Sequence, residues 1–518
     1  MYFMLAVNIP ADGLFLAIQN AEGGDLSKDN CERIINEYMD RFLEAKPDII
    51  FLNVCYRRCL TPSEVFDSYL YNVETDENGY AIKNGQSESV KTFSPVTDNV
   101  SKYFMSFVLC ARELLKSGID IYQFAINRIR QTECRVFLSV RMNDAHYTEN
   151  AAINSSFALK NECKNTIEHN GKNLDYSKEA VRNYYYSYLD ELLKKYDIDG
   201  IELDWLRYPS VLPYDKRGDL NIISDYMKRI RRLAGRYKKD LAVRILATEE
   251  ENLSCGLDAC MWIADGSVDV ITIENFYIPT NYELPVGAWR ESIKKKNADH
   301  HSYRLLCGSD WGVSCMSRYN IAMTPALVRG FADVCFENGA DGVYLFNFFE
   351  QNDTSSFELV NDKSGGAHLR NCFSERIKAA RSWECLPRRY VHIGNSNKRY
   401  PISLPFGDFY AFSKKIKSSF ETCRVVIGID SDAGLSVYAN GILMNTVKKE
   451  NVCKGFEYIP ENEIGIDNHF IYALTQAAPF VLSVDLPGNI WENERVNVKI
   501  RNDFCDNIKI MWIEIVCE

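Results

Sequence analysis

The segment Tyr196–Pro209, YDIDGIELDWLRYP, places Glu202 and Asp204 two residues apart in an apolar run that reads as a β-strand. Strand side chains alternate between faces, so these two carboxyls point the same way, with Leu203 and Trp205 on the opposite side. Two like charges this close resist ionising together, which raises one pKa toward the range of a general acid. Unpaired carboxylates are costly in a buried strand. The pair is therefore either chemically active or bonded to a cation such as Arg207 or Arg141. Two more carboxylates close apolar runs, Glu274 in ITIENFY and Asp310 in CGSDWG. Asp310 reads equally as a reactive group or as a turn residue, and Glu274 as a reactive group or the partner of a neighbouring arginine.

Polar companions gather at other strand ends. VFLSVRMNDAH brings Arg141, Asn143, Asp144 and His146 together, as a ligand-binding cluster or as a network that braces a loop. Arg244 sits inside the apolar run LAVRILA and demands a carboxylate, with Glu202 and Asp204 as the candidates. Arg57 and Arg58, in NVCYRRC, suit an anionic ligand or a solvated loop. Trp311, flanked by Gly308 and Gly312, offers a flat ring, and Asn347 follows the last apolar run. No metal or other cofactor is expected. The 7 histidines include one close pair, His300-His301, and H-E-x-x-H, C-x-x-C, G-x-G-x-x-G and G-x-S-x-G are all missing.

Eight short, continuously apolar runs can carry these residues: Tyr2–Asn8, Ile49–Val54, Val136–Arg141, Gly200–Trp205, Leu241–Ala247, Val268–Glu274, Tyr303–Gly308 and Gly342–Phe348. Stripes at helical spacing lie between them, for instance Ile223, Tyr226, Met227, Ile230 and Leu233. Eight strand-then-helix units of this kind predict a (β/α)8 TIM barrel over residues 1–385. Long insertions, 57–99 and 142–176, follow the second and third strands, on the face where such barrels place their sites. Past WECLPRR the apolar period drops from 3.6 to 2, and Asn440-Gly441 marks a hairpin. This predicts a small C-terminal β-sandwich, an accessory domain over residues 388–518.

D-G-I-x-x-D-x-x-R-x-P, spelled by Asp199, Gly200, Ile201, Asp204, Arg207 and Pro209, resembles the glycosyl-hydrolase-like barrel proteins related to family 10. VFLSVRMNDAH, LAVRILATEEENLSCGLDACMWI with GSVDVITIENFY, and ADGVYLFNFF fit the same resemblance, which spans most of residues 1–380. It implies a (β/α)8 fold and hydrolysis of a glycosidic bond by two carboxyl groups, without a cofactor. Asp204 is then the first choice for acid/base, with Glu202 next, and Asp310 followed by Glu274 as the second carboxylate. Arg141, Asn143, Asp144, His146, Arg207, Arg244, Trp311, Asn347 and Arg57 would contact the carbohydrate. The chain departs from two relatives. It lacks the Asn-Glu of xylanase-type fourth strands, and it has Leu206 where chitinase-type barrels carry their catalytic Glu. The alternative is a barrel that binds glycan without cleaving it.

The 518 residues, 25% charged and 46% hydrophobic, describe a globular protein. A net charge of −11, without a Lys/Arg block, argues against nucleic acid as partner. No run of apolar residues is long enough to span a membrane. MYFMLAVNIPADG lacks a basic leader, and 17 cysteines are an odd number without redox spacing. Both features point to a cytoplasmic, reducing setting, unless a signal was trimmed from this sequence.

Overall fold

The computed structural model describes residues 2–19, 26–68, 74–75, 81–82, 110, 113–145, 157, 168–169, 172–275, 282–296, 302–310, 312–316, 319–347, 357–361, 367–371, 373–381, 388–392, 401–416, 420, 422–450, 480–491 and 494–517. The chain forms two compact units. One comprises Met1–Phe276, Leu284–Gly308 and Asn338–Phe349, and the other Tyr277–Glu283, Ser309–Glu337 and Glu350–Glu518.

The eight expected runs become eight strands: β1 (Met4–Ile9), β2 (Ile49–Cys55), β3 (Arg135–Arg141), β4 (Gly200–Asp204), β5 (Asp240–Leu246), β6 (Val270–Glu274), β7 (Arg304–Asp310) and β8 (Gly342–Phe346). They close into a barrel in sequential order, with β1 pairing in parallel with both β8 and β2. A (β/α)8 barrel is the result, as the sequence predicts. Four of these strands are buried along their whole length and the other four at all but their end residues, which is why they read as unbroken apolar runs rather than alternations. Helices lie between them, among them α1 (Lys28–Leu43), α2 (Ile121–Ile129), α3 (Glu179–Lys195), α4 (Asn221–Arg236), α5 (Glu249–Ser254), α6 (Val286–Lys295) and α7 (Pro325–Glu337).

Inside the barrel, Ala6, Phe51, Phe137, Ala242, Val270, Leu306, Tyr344 and Phe346 form an apolar plug. Gly200 is part of that packing. A Cβ there would stand 2.1 Å from the Phe137 ring, so only glycine lets β3 and β4 lie side by side. Because side chains alternate, two residues further along a strand means the same inner face, one layer nearer the C-terminal mouth. Asn8, Asn53, Ser139, Glu202, Arg244 and Thr272 each stand two residues beyond a plug residue or Gly200.

Beyond the barrel, antiparallel strands make two sheets, consistent with the expected β-sandwich. They are β9 (Arg388–His392), β10 (Ile402–Pro405), β11 (Phe409–Lys415), β12 (Cys423–Ile429), β13 (Ser436–Ala439), β14 (Ile442–Leu443), β15 (Val447–Glu450), β16 (Phe480–Leu486), β17 (Arg495–Arg501) and β18 (Asn507–Cys517). One sheet runs β9-β18-β12-β16-β15, with β10 also on β18, and the other β11-β17-β13-β14. Buried and exposed residues alternate along β11 and β17, the pattern of sheets covered on one face. Among the described residues, the cysteines are unbridged and no helix is long and apolar enough to cross a membrane.

Candidate active site

At the C-terminal ends of β3, β4, β5 and β6 the inner layer turns from apolar to charged. Register sets the order: Arg141 lies opposite Asp204, Asp204 opposite Arg244, and Arg244 opposite Thr272. Glu274 is two residues past Thr272, so it reaches back to the same guanidinium.

Arg244 joins two carboxylates. Its Nε and Nη2 donate to Glu274 Oε2 and Oε1, both at 2.8 Å, and its Nη1 donates to both Asp204 oxygens at 3.1 Å. All three side chains are almost wholly buried. One guanidinium touches both acids, so the Asp204 and Glu274 carboxylates lie within roughly 8 Å of each other. Arg244 also packs over the Phe346 ring, Cζ 3.5 Å from its centroid. Burial works against the Arg244 charge, but Glu274 and Asp204 outweigh it and push the pKa up. Arg244 thus takes Asp204, one of its expected partners, together with Glu274, and does not take Glu202.

Glu202 has a different setting. Its Oε2 accepts a 2.9 Å hydrogen bond from the Tyr344 hydroxyl, and its Oε1 is buried without one. Burial, then the charge of Asp204, lifts its pKa from 4.5 to about 8, while Ser139, Arg244 and Tyr344 oppose the rise. Glu202 therefore holds a proton at neutral pH. The two carboxyls of β4 share one face but not one partner, Asp204 meeting a guanidinium and Glu202 a phenol.

The loops over this layer are tied down by side chains. Asp204 Oδ1 accepts from the Leu206 amide at 3.1 Å, which turns the chain after β4. Tyr208 follows with φ 56°, a conformation a bulky residue rarely adopts, and such strain concentrates at functional sites. Asn143 spends its amide on backbone, donating to Tyr208 O and Ser210 O and accepting from the Leu174 amide at 2.8 Å. Asn252 does the same after β5, with bonds to Leu246 and Thr248, where a Thr248–Glu251 capping box opens α5. Arg141 donates to Asp144 Oδ2 at 2.8 Å and lies over the Tyr56 ring. Burial, then Asp12, pushes the Tyr56 phenol up, so it stays neutral. Arg57 is buried and reaches the Lys172 carbonyl.

Arg207 lies over Phe346, Cζ 5.6 Å from the centroid, and is partly exposed. Asn347 follows β8 at φ 51°, with its Oδ1 buried and without a hydrogen bond. Asp310 is the last residue of β7 and partly exposed. His146 and Trp311 lie outside the described residues. Trp205 is fully buried on the outer side of β4, edge-to-face with Tyr176, so it packs rather than lining the mouth.

Asn8, Thr272 and Tyr344 escaped the sequence reading. Each was legible as a polar group at an inward position of an otherwise apolar strand. Asn8 is fully buried with neither amide atom bonded, and the Asn53 Nδ2 and Thr272 Oγ1 are likewise orphaned. Natural proteins rarely leave such groups unsatisfied without a water or ligand to meet them. Among the described residues, no three His, Cys, Asp or Glu side chains converge as a metal site.

No family model matches the chain, and no curated protein is similar to it. Among solved structures, a cycloisomaltooligosaccharide glucanotransferase from Paenibacillus sp. is 10% identical, with a TM-score of 0.33, over 99% of this chain and 57% of that one. The α-L-fucosidase isoenzyme 2 of Paenibacillus thiaminolyticus is 11% identical, with a TM-score of 0.39, over 75% of this chain and 51% of that one. The tryptophan synthase α subunit of Legionella pneumophila, a different kind of enzyme, is 12% identical with a TM-score of 0.30, over 73% of this chain and 93% of that one. The chain thus spans little more than half of the first two. Likenesses this distant carry no argument about the reaction, and the site's own chemistry must supply it.

Proposed function

We propose that the protein hydrolyses a glycosidic bond, with the carboxyls of β4 and β6 at its centre. The observation that carries this reading is the split between Glu202, which keeps its proton with a pKa of about 8, and Asp204, which is bound to a guanidinium. Glycoside hydrolysis needs that division, one carboxyl to protonate the leaving oxygen and one carboxylate as nucleophile or base. Glu202 is the proton-bearing group, and Asp204 and Glu274 are the carboxylates, their charges fixed in place by Arg244. Two residues along one face of β4 set Glu202 and Asp204 about 6.6 Å apart along the strand, a spacing that suits an acid and a carboxylate working across a sugar. Asp310, at the end of β7, is the further candidate for the second carboxylate. The orphaned groups of Asn8, Asn53 and Thr272 match the hydroxyls of a carbohydrate, and no cofactor enters the scheme.

A panel of aryl glycosides and polysaccharides tests this reading. On whichever substrate is cleaved, Glu202→Gln and Asp204→Asn are each expected to lower kcat by about 100-fold or more. Full activity in both variants would sink the assignment.

One observation favours a second reading, a barrel that binds glycan without cleaving it. Arg244 engages both oxygens of Asp204 and both of Glu274, which commits that pair to an internal network. Glycan binding by titration calorimetry, with no product from any bound glycan, would select it.

A further inference from the structure

We infer that Cys423 and Cys517 form a dithiol that closes to a disulfide when the protein meets a small-molecule disulfide, clasping two adjoining strands of the larger C-terminal sheet. The site lies outside the barrel, and the inference is independent of the carbohydrate reading.

Register brings the pair together. Strands β12 and β18 are neighbours in their sheet and run antiparallel. Cys423 is the first residue of β12 and Cys517 the last of β18, and the two stand directly opposite each other. Opposed residues of an antiparallel pair have Cα atoms about 4.5–5.5 Å apart, inside the range of about 4.4–6.8 Å that a disulfide spans. The side chains use that proximity. Their Sγ atoms are 2.8 Å apart, and both thiols are buried. Bond formation therefore asks for no rearrangement of the backbone.

The surroundings divide the roles of the two sulfurs. Arg388 of β9 stands opposite Cys517 on its other side. The hydrogen bond from Cys517, with help from the Arg388 charge, outweighs burial and lowers the Cys423 pKa. Burial and the neighbouring Cys423 push Cys517 the other way. Burial also pushes Cys55, Cys59 and Cys260 up, which holds them as unreactive thiols. Cys423 is thus the attacking thiolate. It attacks one sulfur of the external disulfide, forms a mixed disulfide and releases one thiolate. The Cys517 sulfur gives its proton to that thiolate, attacks the Cys423 sulfur and displaces the second thiolate, which takes a proton from solvent. Two protein thiols are oxidised, and one disulfide is reduced to two thiols. Access comes from position, because both residues end their strands and opening the last rung of the ladder exposes them. The bond closes a loop of chain that holds β13 to β17, and long closed loops restrict the unfolded chain most.

Peptide mapping by mass spectrometry tests this on the intact protein, equilibrated in glutathione buffers from fully reduced to fully oxidised and then alkylated. The peptides of Cys423 and Cys517 are expected to be joined at the oxidised end, with two hydrogens lost, and separately alkylated at the reduced end. The oxidised protein is expected to unfold at a higher urea midpoint, and dithiothreitol to reverse the shift. Cys423→Ser is expected to leave Cys517 open to alkylation and to remove the shift. Should that variant fail to fold, the peptide map of the unmodified protein still decides. Alkylation of both cysteines at every glutathione ratio, a lasting mixed disulfide with glutathione, or pairing of either residue with another cysteine overturns the inference. A Cys423–Cys517 bond without a change in midpoint overturns the clasp.

Discussion

Glu202 makes stability depend on pH, and the direction follows from its pKa. The folded protein holds this proton up to about pH 8, while the unfolded chain releases it near 4.5. Between those values the native state binds more protons than the unfolded state, so stability falls as pH rises, by up to about 1.4 kcal/mol per pH unit. Below the window the contribution is flat, because both states are protonated. Glu202→Gln removes the titration and is expected to gain on the native protein steadily from pH 5 to pH 8, as read by urea denaturation. Parallel stability curves over that range would show that Glu202 is not the buried protonated group. Arg244 is expected to matter more at any single pH. Arg244→Met strands Asp204 and Glu274 in a site with almost no solvent, at a cost of about 3–5 kcal/mol. The triple variant Arg244→Met, Asp204→Asn, Glu274→Gln is expected to recover most of that loss, since no uncompensated charge remains. If the single variant unfolds at the native urea midpoint, the network is not a structural ion cluster.

At the scale of elements, the close approach of β6 and β7 keeps the network in place. A Cβ on Gly308 would stand 2.3 Å from Glu274 Oε2 and 2.9 Å from the Glu274 Cβ, which is rigid with its strand. Gly308→Ala therefore has to push Glu274 off Arg244, and the expected loss is about 1–3 kcal/mol in denaturant unfolding, together with weaker activity. Gly218→Ala, whose added Cβ meets nothing within 4 Å, is the control and is expected to be near neutral. Equal stability of the two variants would show that β6 yields. This level also explains what the sequence could tell. The eight barrel strands were legible because strands covered on both faces are continuous apolar runs bounded by polar turns. Glu202 and Asp204 were legible as a pair because parity within one strand needs no partner. Glu274 was legible as the partner of some neighbouring arginine but not of Arg244 in particular, since that depends on the register of β5 against β6, which sets Leu246 opposite Glu274. Past WECLPRR the change of period marked the region as strands without bounding each one, because the stretch of β9, β10 and β11 is rich in polar and turn residues. The hairpin expected at Asn440-Gly441 joins β13 to the short β14, whose Ile442 and Leu443 are both exposed at the edge of their sheet.

At the scale of the whole chain, the second unit is not one contiguous stretch of sequence. Helix α7 follows β7 in the chain, yet it belongs to the same compact unit as the C-terminal sheets. Its Asp333 is buried and accepts 2.7 Å hydrogen bonds from both Arg388 and Tyr390 of β9, and a Cβ on Gly330 would meet the Arg389 carbonyl at 2.1 Å. Arg389 is held in turn by Glu514 of β18, at 3.0 and 3.2 Å. Residues 388–518 alone would keep the Arg389–Glu514 pair and lose Asp333, which leaves the almost fully buried Arg388 without its carboxylate. Losing one partner of a buried pair costs about 3–5 kcal/mol, a large share of what a domain of this size has to lose. The isolated fragment is therefore expected to exchange the amides of Arg388–His392 and of the facing half of β18 far faster than the intact chain, in hydrogen exchange followed by mass spectrometry. A fragment that begins at residue 309 and spans α7 would be expected to restore part of that protection. If residues 388–518 alone protect those amides as well as the full protein does, α7 is dispensable and the sheets fold on their own.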